Sequence, residues 1–362
     1  PTSVSAESQP CRSVCATSAT RPLSARRTRA LWEPHNRHPA YFVVSSPKES
    51  SGSRQSGDVL AIVAPGQGAQ TPGFLAPWLE VPSFAARLAH LSEVSELDLA
   101  AFGATADADT IRDTAVAQPL LVASAIATAR ELLGDQQADV IAGHSVGELA
   151  AAALAGALGD DDALVLVRER GRAMATASAV RPTSMTAVIG GKPDEVHAAI
   201  EAAGLTPANN NGSGQIVAAG TVEQLEAFAA NPPARARLFP LSVAGAFHTV
   251  HMEPAVAHLQ QVADGVTPPA PVTRLISNRD GQIVTDGDEY LERLVAQVAN
   301  PVRWDLCMTT MTELGVTGLL ELTPAGTLTG IAKRNMKGVE LFNLNTPDQL
   351  DDARAFVETH RS

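Results

Sequence analysis

Apolar residues fall along this chain in two kinds of block. Short unbroken runs of strand length alternate with longer stretches that read as helices, an order that favours an α/β architecture. Residues 59–64 (VLAIVA) form the first run, continuous enough for a strand buried on both faces of a sheet. It ends in Pro65-Gly66-Gln67-Gly68-Ala69-Gln70, a loop whose two glycines let the backbone approach a ligand. The Lys-Ser/Thr pair that would make it a Walker-type phosphate loop is missing. A helix is expected from Gln118-Pro119, with proline in its first turn, to Gly134. Residues 138–142 predict a second buried strand, residues 148–158 a helix of small residues, and residues 160–176 a long helix.

The texture then changes. Strands are expected at 185–189, 215–219 and 237–243, with helices at 193–203 and 222–229. This βαβ-αβ order, within residues 181–244, matches a small ferredoxin-like insertion. Beyond it come a helix at 252–263, an Asn278-Arg279-Asp280-Gly281 turn, a helix ending near Asn300-Pro301, a strand at 318–322 and a helix at 328–334. The main body is therefore expected in two pieces, 58–180 and 245–350, with 351–362 as a C-terminal tail. No internal repeat is visible.

Composition narrows the class. A chain of 362 residues, 45% hydrophobic, can bury a sizeable core. Its net charge of −12 argues against a nucleic-acid partner, because no basic field is available to neutralise phosphates. The longest apolar run, residues 149–158, is too short to span a bilayer, so no membrane segment is expected. The cysteines, Cys11, Cys15 and Cys307, form neither a disulfide framework nor a zinc pattern. No metal is expected, and a reducing cytoplasm is the default location. Residues 1–57 stand apart, rich in Ser and Arg, with eight basic residues against three acidic ones. They resemble a transit peptide, but a disordered extension, or sequence upstream of the true start, is the preferred reading.

Candidate chemistry centres on Gly143-His144-Ser145-Val146-Gly147, set between the second strand and the small-residue helix. Gly-x-Ser-x-Gly in that context is a nucleophile elbow, which forces the serine out of the sheet with its hydroxyl exposed. The two glycines avoid collisions with the neighbouring strand and helix. The Val146 N–H, at the helix start, points where an oxyanion would form. Ser145 needs a base; His248 and His251 share one loop, His144 reads as a supporting neighbour, and no acid stands out as a third member. Arg168, Arg170 and Arg172 lie on one helix, and one of them could grip a carboxylate in two-pronged fashion. Spacing alone does not choose among them.

Taken in order, Gly66-Gln67-Gly68-Ala69-Gln70, Gly143-His144-Ser145-Val146-Gly147, Arg170-Gly171, Gly245-Ala246-Phe247-His248 and Gln297-Val298-Ala299-Asn300-Pro301-Val302-Arg303-Trp304 resemble the malonyl-CoA:acyl carrier protein transacylase family. The resemblance covers residues 59 to about 345. It implies an α/β-hydrolase-like core with a parallel sheet and an inserted ferredoxin-like subdomain. It also implies that Ser145 is acylated, that His248 is its base, and that Gln297 orients the imidazole in place of a carboxylate. The backbone N–H groups of Gln67 and Val146 would form the oxyanion hole, and Arg170 would pair with the malonyl carboxylate. In related polyketide transferases a phenylalanine before the histidine goes with malonyl selection, so Phe247 and the aliphatic Val146 fall on that side. His251 is then a bystander. The expected partners are malonyl-CoA and a phosphopantetheinylated acyl carrier protein, with no cofactor, working as a monomer in fatty-acid synthesis. The alternatives are a polyketide-pathway acyltransferase, or an esterase or thioesterase-type hydrolase on the same fold. A scaffold that kept the fold without the chemistry is a further rival.

Overall fold

The computed structural model describes residues 57–134 and 136–361, and the expectations for the N-terminal leader lie outside them. Its strands in chain order are β1 (Leu60–Ala64), β2 (Val140–Gly143), β3 (Thr183–Gly190), β4 (Thr206–Asn210), β5 (Gln215–Thr221), β6 (Ala236–Pro240), β7 (Arg274–Ile276), β8 (Ile283–Val284), β9 (Val302–Arg303), β10 (Gly318–Glu321) and β11 (Glu340–Asn343). They make two sheets, ordered β11-β10-β1-β2-β7-β8 and β6-β3-β5-β4-β9.

The first sheet is parallel from β11 to β7, with β8 antiparallel at one edge. In β1 and β2 every residue is buried, and the period of two divides them between two cores. Leu60, Ile62, Ala64 and Ile141 face one layer, which holds the helices Thr114–Leu133 and Asp160–Ala179. Ala61, Val63, Val140 and Ala142 face the other, with the helices Trp304–Glu313 and Thr327–Asn335. An α/β sandwich of this kind leaves the loops after β1 and β2 at one end of the sheet, side by side, because Ala64 pairs with Gly143.

Several boundaries differ from the sequence expectation. The helix expected from Gln118 starts at Thr114, where the Asp113 side chain accepts a hydrogen bond from Ala115 N at 2.8 Å, and Pro119 lies inside it. Capping and apolar burial on nearly every side outweigh the one hydrogen bond that proline removes. This 20-residue helix is long and apolar enough to cross a membrane, which the sequence reading overlooked. In the fold, 83% of its apolar window is buried against protein. Of the segment 351–362 expected as a tail, residues 351–360 lie in the helix Leu350–His360, with Leu350, Ala353, Val357 and His360 buried.

The second sheet lies mostly within residues 181–244, but β9 adds to its edge from outside that segment, parallel to β4. β4 itself was not foreseen, since Thr-Pro-Ala-Asn-Asn reads as turn-forming. Its register shifts between Pro207 and Asn209, so it accommodates the proline at an irregularity. The strand expected at 237–243 ends at Pro240. Helices Pro193–Ala202 and Val222–Ala230 cover one face of this sheet around Val188, Ile216 and Phe228. Met185, Ala187 and Val217 on its other face belong to the main core.

Candidate active site

Ser145 has φ 54°, a left-handed backbone that a non-glycine residue adopts only where the surroundings enforce it. Two glycines permit the turn. A Cβ on Gly143 would strike the Gly147 carbonyl, and one on Gly147 would strike the Ala64 carbonyl. The buried Asn278 then ties the turn at both ends. Its Oδ1 accepts from Ser145 N at 2.7 Å, and its Nδ2 donates to the Gly143 carbonyl at 2.8 Å.

Ser145 Oγ stands 2.7 Å from His248 Nε2. His248 Nδ1 meets the backbone carbonyl of Gln297 at 2.9 Å, and His248 N donates to the Val298 carbonyl at 3.1 Å. The helix Gly287–Gln297 ends there, short of the expected Asn300-Pro301, which frees its last carbonyls from i→i+4 bonding, although the Gln297 carbonyl also accepts from Asn300 N at 3.1 Å. Gln297 therefore does hold the imidazole, but with its main chain and not with the side chain that stands in for a carboxylate in the sequence expectation. A carbonyl acceptor fixes Nδ1 as the protonated nitrogen and leaves Nε2 free to accept from the serine. Burial lowers the His248 pKa to about 3, helped by the charge on Arg170. The histidine is neutral, the form a base requires. His251 lies in the adjoining 3-10 turn (Val250–Met252), where its N donates to Thr249 Oγ1.

The Gln297 side chain faces elsewhere. Its Oε1 accepts from Arg170 NH2 at 2.9 Å, while its Nε2 donates to Glu148 and to the Ser145 carbonyl. Arg170 NH1 donates to Gln118 Oε1 at 2.6 Å. Arg170 is 2% exposed, and the direct partners of its guanidinium are two neutral amide oxygens. Arg168 and Arg172, by contrast, are ion-paired with Glu96 and Glu169. Burial lowers the Arg170 pKa to about 10, and Glu148 works against that shift.

Glu148 escaped the sequence reading. It is buried beneath the elbow, accepting from Asn278 N at 2.6 Å as well as from Gln297. Burial raises its pKa to about 8, opposed by those donors and by Arg170. An acid in the otherwise apolar Gly147–Leu154 helix is the signal that would have found it. Gln118, Asn278, Asn209 in β4 and Asn211 just beyond it were likewise missed as site residues. A cleft of about 230 Å³ opens onto Ser145 and His248 and is lined by Gly66, Gln67, Gln118, His144 and Phe247 among others. A Cβ on Gly66 would lie 2.9 Å from His144 Nδ1, which shows how closely the first loop packs on the elbow. His144 is held by Asn211 Oδ1 at 3.0 Å and by an edge contact with Trp304, in a supporting position. Val146 opens the helix Gly147–Leu154 from its N-cap position.

Residues 62–356 match the acyl transferase domain family. The malonyl CoA-acyl carrier protein transacylase of Mycobacterium tuberculosis is 47% identical over 299 residues, which cover 81% of this chain and 99% of that protein. A crystal structure of MCAT from Mycobacterium tuberculosis superposes with TM-score 0.79 at 47% identity, covering 82% of this chain and 99% of that one. A malonyl-transacylase solved in complex with its type II PKS acyl-carrier protein superposes with TM-score 0.76 at 31% identity, over 82% of this chain and 99% of that one.

Proposed function

This chain belongs to the acyl transferase family, and we propose that it moves a malonyl group from malonyl-CoA to the phosphopantetheine thiol of an acyl carrier protein, supplying fatty-acid synthesis. The observation that carries this reading is the buried Arg170, held by amide oxygens alone beside a serine–histidine pair. A guanidinium in such a place is suited to a substrate carboxylate, which takes the hydrogen bond now made to Gln118. An acetyl group would leave that charge without a counter-ion.

In the first half-reaction the Ser145 hydroxyl passes its proton to His248 Nε2 as its oxygen attacks the thioester carbonyl. The oxyanion is received by the backbone N–H groups of Gln67 and Val146, from the packed loop and the helix start. Collapse expels the CoA sulfur, which takes the proton back from His248, and leaves a malonyl ester on Ser145. In the second half-reaction His248 takes the proton of the carrier thiol, whose sulfur attacks the ester, and Ser145 leaves with the proton. Serine, histidine and arginine do all of this without a cofactor. The Phe247 ring, buried and lining the cleft, fills the space an α-methyl branch would need.

The finer fold reading belongs here too. A sheet parallel over five strands with a nucleophile elbow after β2 supports an α/β-hydrolase-like core. The strand order β6-β3-β5-β4, with its two covering helices, supports a ferredoxin-like insertion. We also place the protein in the cytoplasm as a monomer. The test is a transfer assay with labelled malonyl-CoA. Label reaching the holo carrier but not the carrier lacking phosphopantetheine supports transfer, whereas equal release of free malonate with and without carrier supports a hydrolase.

A further inference from the structure

Behind the cleft, a buried guanidinium and a buried carboxylate share one amide. Gln297 Oε1 accepts from Arg170 NH2 at 2.9 Å, and Gln297 Nε2 donates to Glu148 Oε2. Both charged residues are almost fully buried. The other oxygen of Glu148 accepts from Asn278 N at 2.6 Å and from the Tyr290 hydroxyl at a long 3.5 Å. Glu148 does not line the cleft, so whatever it does to the substrate passes through Gln297 and Arg170.

The malonyl group brings a second carboxylate to the same guanidinium. One buried cation does not balance two buried anions, and the group that can give way is the one that takes up a proton in place. With Glu148 neutral, Arg170 presents an unbalanced charge that a carboxylate satisfies and an acetyl group does not. With Glu148 ionised, the two protein charges already balance. A carboxylate then adds an excess negative charge, and an acetyl group costs nothing. We infer that Glu148 is a specificity-determining residue, whose proton keeps Arg170 selective for carboxylated acyl groups and whose ionisation erases the preference. The inference rests on the reading of Arg170 as the partner of the malonyl carboxylate. Burial places the Glu148 titration at about 8, and the groups facing it change charge elsewhere. On the neighbouring helices, Tyr290 and Cys307 are pushed well above their ordinary values by burial, and Arg170 titrates at about 10. Beyond Gln297, burial brings His248 down to about 3 and lowers His144 as well.

The test reads the ratio of kcat/KM for malonyl-CoA to that for acetyl-CoA, in which everything the two thioesters share cancels. In the wild type the ratio should fall about tenfold from about pH 7 to about pH 9, as a group with its midpoint near 8 gives up its proton. Glu148→Gln offers one donor and one acceptor, as the neutral acid does, and should hold the ratio level within about twofold over that range. A second measurement leaves Glu148 in place. Ser145→Ala, which cannot be acylated, should take up most of a proton on binding malonyl-CoA at about pH 8.5 and none with acetyl-CoA, read by calorimetry in buffers of different ionisation enthalpy. A wild-type ratio that does not change with pH, a fall that persists in Glu148→Gln, or equal proton uptake with both thioesters would overturn the inference. An Arg170→Ala protein that keeps the wild-type ratio at about pH 7 would instead overturn the reading of Arg170, and the inference with it.

Discussion

Ser145 and His248 meet through a 2.7 Å contact while both hold left-handed backbones, with φ of 54° and 61°. Neither is glycine, so each Cβ stores strain that the surrounding loops impose. Removing the hydroxyl and then the Cβ separates the two effects. Ser145→Gly should be more stable than Ser145→Ala by about 0.5–1 kcal/mol, because relief at positive φ outweighs glycine's extra chain entropy. Urea unfolding of the two variants measures it, and both should be inactive. An alanine variant as stable as the glycine one would mean that the turn is unstrained.

The pH profile of acylation follows from the neutral His248. Its ordinary pKa near 6.5 is lowered to about 3, first by burial and then by Arg170. The kcat/KM for malonyl-CoA should therefore stay level from pH 8 down to about 5, with no fall near 6.5. Arg170→Ala removes one cause, so its acid limb should move upward. The same shift acts on stability. The unfolded chain protonates this histidine near 6.5 and the folded one does not, so stability present above pH 6.5 is lost as pH falls toward 3. His248→Gln should flatten that dependence in thermal unfolding scans.

Arg170→Ala should separate malonyl from acetyl. The variant loses a charge-assisted hydrogen bond that only the carboxylated substrate makes, so kcat/KM for malonyl-CoA should fall about a hundredfold or more. The weak rate with acetyl-CoA should fall much less. Arg170→Lys should not restore the wild-type rate, since an ammonium cannot hold Gln297 and grip a carboxylate with two parallel donors in one plane. Equal losses on the two substrates would remove Arg170 from carboxylate recognition.

Glu148→Ala strands the buried Asn278 N, takes from Gln297 Nε2 its carboxylate acceptor while leaving it the Ser145 carbonyl, and opens a cavity beneath the elbow. Stability should drop by about 2–4 kcal/mol. Because Asn278 holds the elbow and Gln297 holds Arg170, kcat should fall along with it. Denaturant midpoints and steady-state rates test both parts. A variant as stable as wild type would show that water replaces the carboxylate.

How legible each residue was depends on how local its constraint is. Ser145 could be read from five residues, since the steric demands on Gly143 and Gly147 arise within the turn itself. Arg170 was readable in principle but was not read that way. It sits in the buried stripe Ala163, Val167, Arg170, Met174 and Ala177, at helical spacing, whereas Arg168 and Arg172 face the surface acids. His248 could not be told from His251 without the family resemblance, because what selects it is a pair of carbonyls some fifty residues on. Gln297 was read for its side chain, whereas its contact to His248 Nδ1 is made by main chain, which a sequence does not name. Asn278 and β4 carried turn-like sequences, and only pairing across the fold gives them their roles. The parallel sheet was legible in its three most apolar strands, β1, β2 and β10, and obscure at its edges, where β7, β8 and β11 are short or partly exposed.

The central claim is a malonyl ester on Ser145 that a carrier protein discharges. Intact-protein mass after brief mixing with malonyl-CoA, and again after adding holo carrier, tests it most directly. One malonyl adduct, absent from Ser145→Ala, should form within the mixing time and move onto the carrier. No adduct on the wild-type protein, or one that decays as fast in buffer as with carrier, would contradict it.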